Sequence, residues 1–422
     1  MKPSGIEWIG DIPDDWEVIK TKFLFNVYGG STPKVNVPEY WGDKIIWITP
    51  GELGDDIKIV LNSKRMLSEK GLNSCGATLA PKGSIIISNR APIGQVCLAG
   101  RELCTNQGCK SLVAKIKLSC LFFYYFFKVQ SEVLNMLGNG TTFMELSASD
   151  LLNFKIPFPP LKTQQKIADY LDEKCGEIDA TIAKQKESIE KLKAYKQSLI
   201  SETVTKGLDK SAPLKPSGIE WIGDIPDDWE VKRIKNTGKL IGGSAFPDGY
   251  QGVKNEEIPF IKVKSLAEDP ISRNGKDSIS ESIRNKLNAE KFIIGSVVFA
   301  KVGAALLLQR FRILEFESCI DNNMMGFIPL VIEPRFFKYV TVLFDFSYFV
   351  NPGTVPSINQ EQIGNIKIPF PPLKTQQKIA DYLDSKCSQI DKYITEKQNI
   401  IQKLDAYKKS LIFECVTGKT EL

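Results

Sequence analysis

Four short polar stretches, Asn89-Arg90, Thr105-Asn106-Gln107, Lys301-Val302 and Asp321-Asn322-Asn323, carry side chains with chemistry to offer. Arginine, lysine, asparagine and glutamine make paired hydrogen bonds to the edges of guanine and adenine in a major groove, so these types on loops suit base reading. Lys34, Asn36, Tyr40 and Trp41 in the first half, and Tyr250, Lys254, Lys262 and Lys264 in the second, add candidates for phosphate or base contact. Trp41 and Tyr250 would serve equally well in a core. Taken singly, each of these residues is an ordinary solvated loop residue.

Catalytic chemistry is not spelled out. The 422 residues contain no histidine, which removes Ser-His-Asp and Cys-His machinery and histidine-ligated metals. Gly418-Lys419-Thr420 has Phe413 where a phosphate-binding loop needs its first glycine. Pro13-Asp14 with Asp56-Ile57-Lys58 has a nuclease-like form, but the repeated Pro226-Asp227 has no downstream mate, so chance explains it. The nine cysteines are odd in number and lack a C-x-x-C pair. Cys97, Cys104 and Cys109 raise a metal question that the missing histidine answers against, and the matched Cys175 and Cys387 read as structural. The expectation is no catalytic residue and no metal in this chain.

The elements that must position the polar stretches come from a repeat. Lys2 to Val18 returns unchanged as Lys215 to Val231, and Lys155 to Asp172 returns unchanged as Lys367 to Asp384, while the segments between hardly match. A surface kept identical twice holds two copies of one partner, and a surface that changes suits two targets. The chain divides into a divergent domain (1–155), a helix (156–208), a second divergent domain (209–367) and a second helix (368–422). The helices open after Pro159-Pro160 and its copy, and stop at Gly207 and Gly418. Ile178, Ile182, Gln185, Ile189, Leu192, Lys196 and Leu199 alternate four- and three-residue steps, as do Ile390, Ile394, Lys397, Ile401, Leu404, Lys408 and Leu411. That is a coiled-coil seam, so the two helices are expected to pair; an antiparallel pair would put the divergent domains at opposite ends. Within those domains Gly29-Gly30-Ser31 matches Gly242-Gly243-Ser244, Trp47-Ile48-Thr49 matches Phe260-Ile261-Lys262, and Gly83-Ser84 before Ile85-Ile86-Ile87 matches Gly295-Ser296 before Val297-Val298-Phe299. The scaffold repeats where the surface does not. The four polar stretches then fall on matched loops, Asn89-Arg90 opposite Lys301-Val302 and Thr105-Asn106-Gln107 opposite Asp321-Asn322-Asn323.

Charge is nearly neutral: 55 basic against 50 acidic side chains, a net +5, too little to argue nucleic-acid binding alone. The longest greasy run, Leu118 to Phe127, is far short of the ~18 residues of a membrane span, and the start has no apolar leader. A soluble, cytoplasmic chain is expected.

Two motifs occur twice: W-I-G-x-I-P-x-x-W at Trp8 to Trp16 and Trp221 to Trp229, and I-P-x-P-P-L-x-x-Q-x-x-I-A from Ile156 and from Ile368. With the two variable regions they cover essentially the whole chain, which resembles the DNA-specificity (S) subunits of type I restriction-modification systems. The resemblance implies an α+β chain of two target recognition domains separated by a long antiparallel two-helix coiled coil, each domain reading half of a bipartite double-stranded DNA site. It implies two methyltransferase (M) subunits docked on the helices and restriction (R) subunits beside them, with S-adenosylmethionine, ATP and magnesium on those partners and no cofactor here. A stand-alone enzyme would need carboxylates that the sequence does not display. A scaffold without DNA would leave the divergence of two domains on one scaffold without a reason.

Overall fold

The computed structural model describes residues 1–54, 57–138, 144–344, 346 and 355–422; Asp56 of the nuclease-like arrangement lies outside them. The chain forms two compact units, residues 1–185 with 398–422, and residues 186–397. Each therefore contains half of each long helix.

In the first unit the opening block folds as a small ribbon, Lys2–Pro3 on Asp11–Ile12, and Glu17–Lys20 then pairs antiparallel with Lys155–Phe158. The divergent domain is inserted between these two strands. Its main sheet runs in the order Phe25–Gly29, Cys109–Ala114, Ile85–Ser88, Val96–Ala99, Ile59–Val60. The β-branched run explains the layering, because alternate side chains leave opposite faces of a strand. Ile85 and Ile87 enter a core with the aromatic helix Cys120–Lys128, and Ile86 enters a second core beneath Ile46 and Ile48. A second sheet, Leu103–Thr105, Ile45–Ile48, Met66–Leu67 and Trp41–Gly42, covers that side.

The second unit repeats the plan with other side chains. Glu230–Arg233 pairs with Lys367–Phe370 in the same register as its counterpart. Between them lie the sheet Gly238–Gly242, Met324–Pro329, Val297–Ala300, Arg312–Ile313 and the sheet Asp277–Ile279, Ile258–Ile261, Cys319–Ile320. Val297 and Phe299 enter the core with helix Pro334–Val340, while Val298 and Ala300 enter the other.

The long helices are Leu161–Lys206 and Leu373–Val416. They begin later than the borders at 156 and 368, because Lys155–Phe158 and Lys367–Phe370 are the strands that close each domain. In the first unit Ile178 and Ile182 pack with Leu411 and Ile412, and Lys408 bonds Asp179 at 2.6 Å. In the second, Ile200 and Val204 share a core with Leu383 and Cys387, and Lys196 bonds Asp391 at 2.7 Å. As the residue number rises along one helix it falls along its neighbour, so the expected pairing is antiparallel. Ile189 and Ile390 are buried as well, and Leu192, Leu199, Ile394, Ile401 and Leu404 are half-buried at the seam. Gly207 and Gly418 stop the helices with φ of +77° and +74°, and each lies against a tryptophan of an opening block, Trp229 and Trp16 respectively. No helix of the described residues is long and apolar enough to cross a membrane.

Candidate nucleic-acid interface

The matched Gly-Gly-Ser segments are close approaches of backbone to backbone. A Cβ at Gly30 would lie 2.0 Å from the Asn106 carbonyl oxygen, and one at Gly243 would lie 2.0 Å from that of Asp321. Only glycine permits this. In the first domain Ser31 N–H then donates to Thr105 O (2.9 Å), Asn106 N–H to Ile48 O (2.8 Å), Asn89 N–H to Gly108 O (2.9 Å) and Leu146 N–H to Asn89 O (2.9 Å). In the second, Ser244 donates to Ile320 (2.9 Å), Asp321 to Ile261 (3.0 Å), Lys301 to Asn323 (2.9 Å) and Ile358 to Lys301 (3.0 Å). Three separate segments thus converge on one turn in each domain, and a fourth is tied to one of the three.

These bonds correct the expected alignment by one residue. Asn106 and Asp321 are equivalent, since each side chain also caps its own turn: Asn106 Oδ1 accepts from Gly108 N–H at 2.9 Å and Asp321 Oδ1 from Asn323 N–H at 2.8 Å. Gln107 is therefore opposite Asn322. Asn89 and Lys301 are opposite each other as expected, followed by Arg90 and Val302, which bridge Glu145 and Ser357.

Arg90, Gln107, Asn322 and Asn323 are exposed around the turns, and Asn106 and Lys301 are half-buried. Gln107 is bonded to the Thr32 hydroxyl. Lys34 and Asn36 lie exposed on the segment that leaves Ser31, as Lys254 does beyond Ser244 and Lys264 beyond Ile261. Three candidates are withdrawn from direct reading. Asn89 is fully buried, its Nδ2 donating to Glu145 Oε1 at 2.8 Å. Trp41 is packed between the Arg65 guanidinium, 3.3 Å from its ring centre, and Trp47. Lys262 is held by Asp277 at 2.6 Å and Gln251 at 2.8 Å. Of the two residues that suited a core, Trp41 is used that way, whereas Tyr250 is half-buried beside Lys286. Tyr40 is half-buried, and its backbone carbonyl holds Ser68 N–H at 3.1 Å.

The sequence reading missed Lys110 and Glu145. Lys110 is buried on the inner strand Cys109–Ala114 where the second domain has Met325, and burial lowers its pKa, partly offset by Glu145. Glu145 also binds Arg90 at 3.1 Å, so one carboxylate holds Arg90 and Asn89. The signal was a lysine within a strand whose copy carries an apolar residue. Cys97, Cys104 and Cys109 are buried strand residues; burial pushes Cys97 and Cys104 up to about 12 and Cys109 higher. No group of three or more His, Cys, Asp or Glu is placed to hold a metal among the described residues.

The type I restriction modification DNA specificity domain matches twice, over residues 13–193 and 226–406. The chain belongs to this specificity family. It is 33% identical over 393 residues to the type I restriction enzyme MjaIX specificity subunit of Methanocaldococcus jannaschii, covering 88% of this chain and 86% of that one. It is 22% identical to the EcoBI specificity subunit of Escherichia coli, over 75% of this chain and 69% of that one. A chain from a solved type I restriction-modification complex superposes with a TM-score of 0.77 at 14% identity, covering 97% of this chain and all of that one. The HsdS subunit of Thermoanaerobacter tengcongensis gives 0.56 at 15% identity, covering 97% and 98%. Both place this specificity-family chain in that fold.

Proposed function

We propose that this chain is the sequence-reading subunit of a type I restriction-modification complex. Each divergent domain reads one half of a bipartite, asymmetric double-stranded DNA site through the residues around its turn, and the identical parts hold two copies of an adenine methyltransferase, with restriction subunits beside them. S-adenosylmethionine, ATP and magnesium belong to those partners, and catalysis is theirs.

The observation that carries this reading is a division of labour between identical and divergent residues. Lys162, Gln165 and Lys166 are exposed and return unchanged as exposed Lys374, Gln377 and Lys378, and Tyr195 and Tyr407 are 59% and 57% exposed. Packing does not require identity at exposed positions, whereas docking of the same partner twice does. Around the turns the backbone repeats and the side chains do not, which is what two unlike half-sites require. The small net charge fits a subunit that shares its phosphate contacts with partners.

The experiment is co-expression with a methyltransferase subunit, followed by long-read mapping of methylated bases. One asymmetric bipartite motif is expected, together with DNA binding that falls steeply with salt. Methylation without a fixed motif, or equal affinity of the lone chain and the complex for target and random duplex, would overturn the reading.

A further inference from the structure

The divergent domains share one short pattern that packing of a sheet does not demand: Phe122-Phe123-Tyr124-Tyr125 and Phe336-Phe337-Lys338-Tyr339, that is, F-F-x-Y. It lies on helices Cys120–Lys128 and Pro334–Val340, whose N-caps are Ser119 and Glu333. In the first unit the Ser119 N–H donates to Gln164 Oε1 at 2.9 Å and the Tyr125 hydroxyl to Asp172 Oδ1 at 3.0 Å. In the second, the Glu333 N–H donates to Gln376 Oε1 at 2.8 Å and the Tyr339 hydroxyl to Asp384 Oδ1 at 2.7 Å.

The acceptors are built for this. Gln164 and Gln376 are fully buried, and each amide nitrogen donates to a proline carbonyl before the helix, Pro159 at 2.8 Å and Pro371 at 2.7 Å. That fixes which way the amide faces. Glutamine and aspartate are eight residues apart on the long helix, ~12 Å at 1.5 Å per residue, and two bonds so separated define a direction as well as an attachment. Each domain also brings its own cation to the aspartate, Lys58 in the first and Arg335, at 2.9 Å, in the second. Unrelated residues thus satisfy the same carboxylate. The unbroken identity of the second block ends at Asp172 and Asp384, the carboxylates that accept the two tyrosine hydroxyls.

We propose that Gln164 with Asp172, and Gln376 with Asp384, form two-point sockets that set the orientation of each recognition domain on its long helix, with Tyr125 and Tyr339 as the positioning residues that seat it. The proposal rests on the reading that each domain holds one half-site. It assigns these hydroxyls to the spacing between half-sites and not to base identity: one base pair more or less moves a half-site by ~3.4 Å, and a domain that rocks on its helix follows that shift.

The test uses the full chain with its methyltransferase, as wild type, Tyr125→Phe, Tyr339→Phe and the double variant, on duplexes with the native spacer and with spacers one base pair longer or shorter. Phenylalanine keeps the ring, buried at 125 and half-buried at 339. Preference for the native spacer should fall about tenfold in each single variant, the effect of losing a hydrogen bond to a charged acceptor, and further in the double, with base preference inside both half-sites unchanged. Asp172→Asn, which keeps an acceptor oxygen, should retain more of the spacer preference than Asp172→Ala. A double variant with unaltered spacer preference, or one that changes base preference, overturns the socket while leaving the wild-type reading intact. A wild-type complex indifferent to spacer length overturns both.

Discussion

The strand pair Glu17–Lys20 with Lys155–Phe158 and its copy Glu230–Arg233 with Lys367–Phe370 match residue for residue in register. The turns at 105–108 and 320–323 share their backbone bonds and one side-chain cap, Asn106 in one and Asp321 in the other, and little else. The closing strands and helix faces are held by side chains that must fit a repeated neighbour, so they are kept. Apart from that cap, the turns are held by N–H and C=O groups that every residue supplies, so their other side chains are free to differ. Gln107 opposite Asn322 in the turns, and Arg90 opposite Val302 beside them, are what such freedom permits.

The strongest way to break this comparison is to remove one copy of the frame. Residues 1–208 alone lack residues 398–422, and with them Leu411, Ile412, Cys415 and Val416, all buried in the core of the first unit. Uncovering residues of this kind costs about 1.5 to 3 kcal/mol each. Residues 186–206 of a second half-chain offer Leu199, Ile200 and Val204 at matching places, so a C2 dimer is expected in sedimentation. With the methyltransferase it should modify a palindromic bipartite motif built from the first half-site. A folded monomer, or methylation of the parental asymmetric motif only, would contradict the equivalence of the two copies.

Alkaline titration should weaken the first unit more than the second. Burial holds Cys97, Cys104 and Cys415 up at about 12 and Cys109 above that in the first unit, and Cys319 at about 11 in the second. A raised pKa in the folded state means stability that is complete below the ordinary value of 9.0 and declines as pH rises past it, because the unfolded chain releases the protons first. At pH 10 each such thiol lowers stability by on the order of 1 kcal/mol. Proteolysis at pH 7.5 and 10 should therefore open the first unit more than the second. Equal loss would show that the divergent cores differ less than their thiols indicate.

Much of this organisation was legible because repeats expose what is kept. The seam from Ile178 to Leu199, the glycine pairs at 29–30 and 242–243 and the strand starts at Gly83 and Gly295 were all readable as spacing. The closing strands were not, because Lys-Ile-Pro-Phe precedes a helix without a break in composition and a proline disguises its pairing. Neither was the one-residue shift that sets Asn106 opposite Asp321, which depends on a carbonyl meeting a glycine far away in the chain. Asn89 looked like a loop residue, and only its bond to Glu145, distant in sequence, buries it.

The turns offer a test of smaller size. Replacing Arg90 and Gln107 by alanine should cost about 1 to 3 kcal/mol at particular bases of one half-site, and Asn322→Ala with Asn323→Ala should do the same only at the other. Binding or methylation selections on randomised half-sites read this directly. A uniform loss across all sequences would move these residues to phosphate contact and leave direct reading to others.

The smallest expected effect bears on how alike the two copies of the frame are. Asp179–Lys408 at 2.6 Å and Asp391–Lys196 at 2.7 Å are the same pair made twice, with the carboxylates 56% exposed. Such pairs are worth ~0.5 kcal/mol each, reduced by salt, so Lys196→Asp in the full chain should lower stability by about 0.5 to 1 kcal/mol, and adding Asp391→Lys should restore it. In the half-chain dimer the consequence is larger, because one substitution appears twice: Asp179 of each copy faces Lys196 of the other, and Lys196→Asp sets carboxylates against each other at both places. Homodimers carrying Lys196→Asp, or Asp179→Lys, should dissociate about tenfold more readily than the parent, while a mixture of the two should form the heterodimer preferentially. Indifference of the mixture to these charges would mean that the apolar seam alone sets the register of the paired helices.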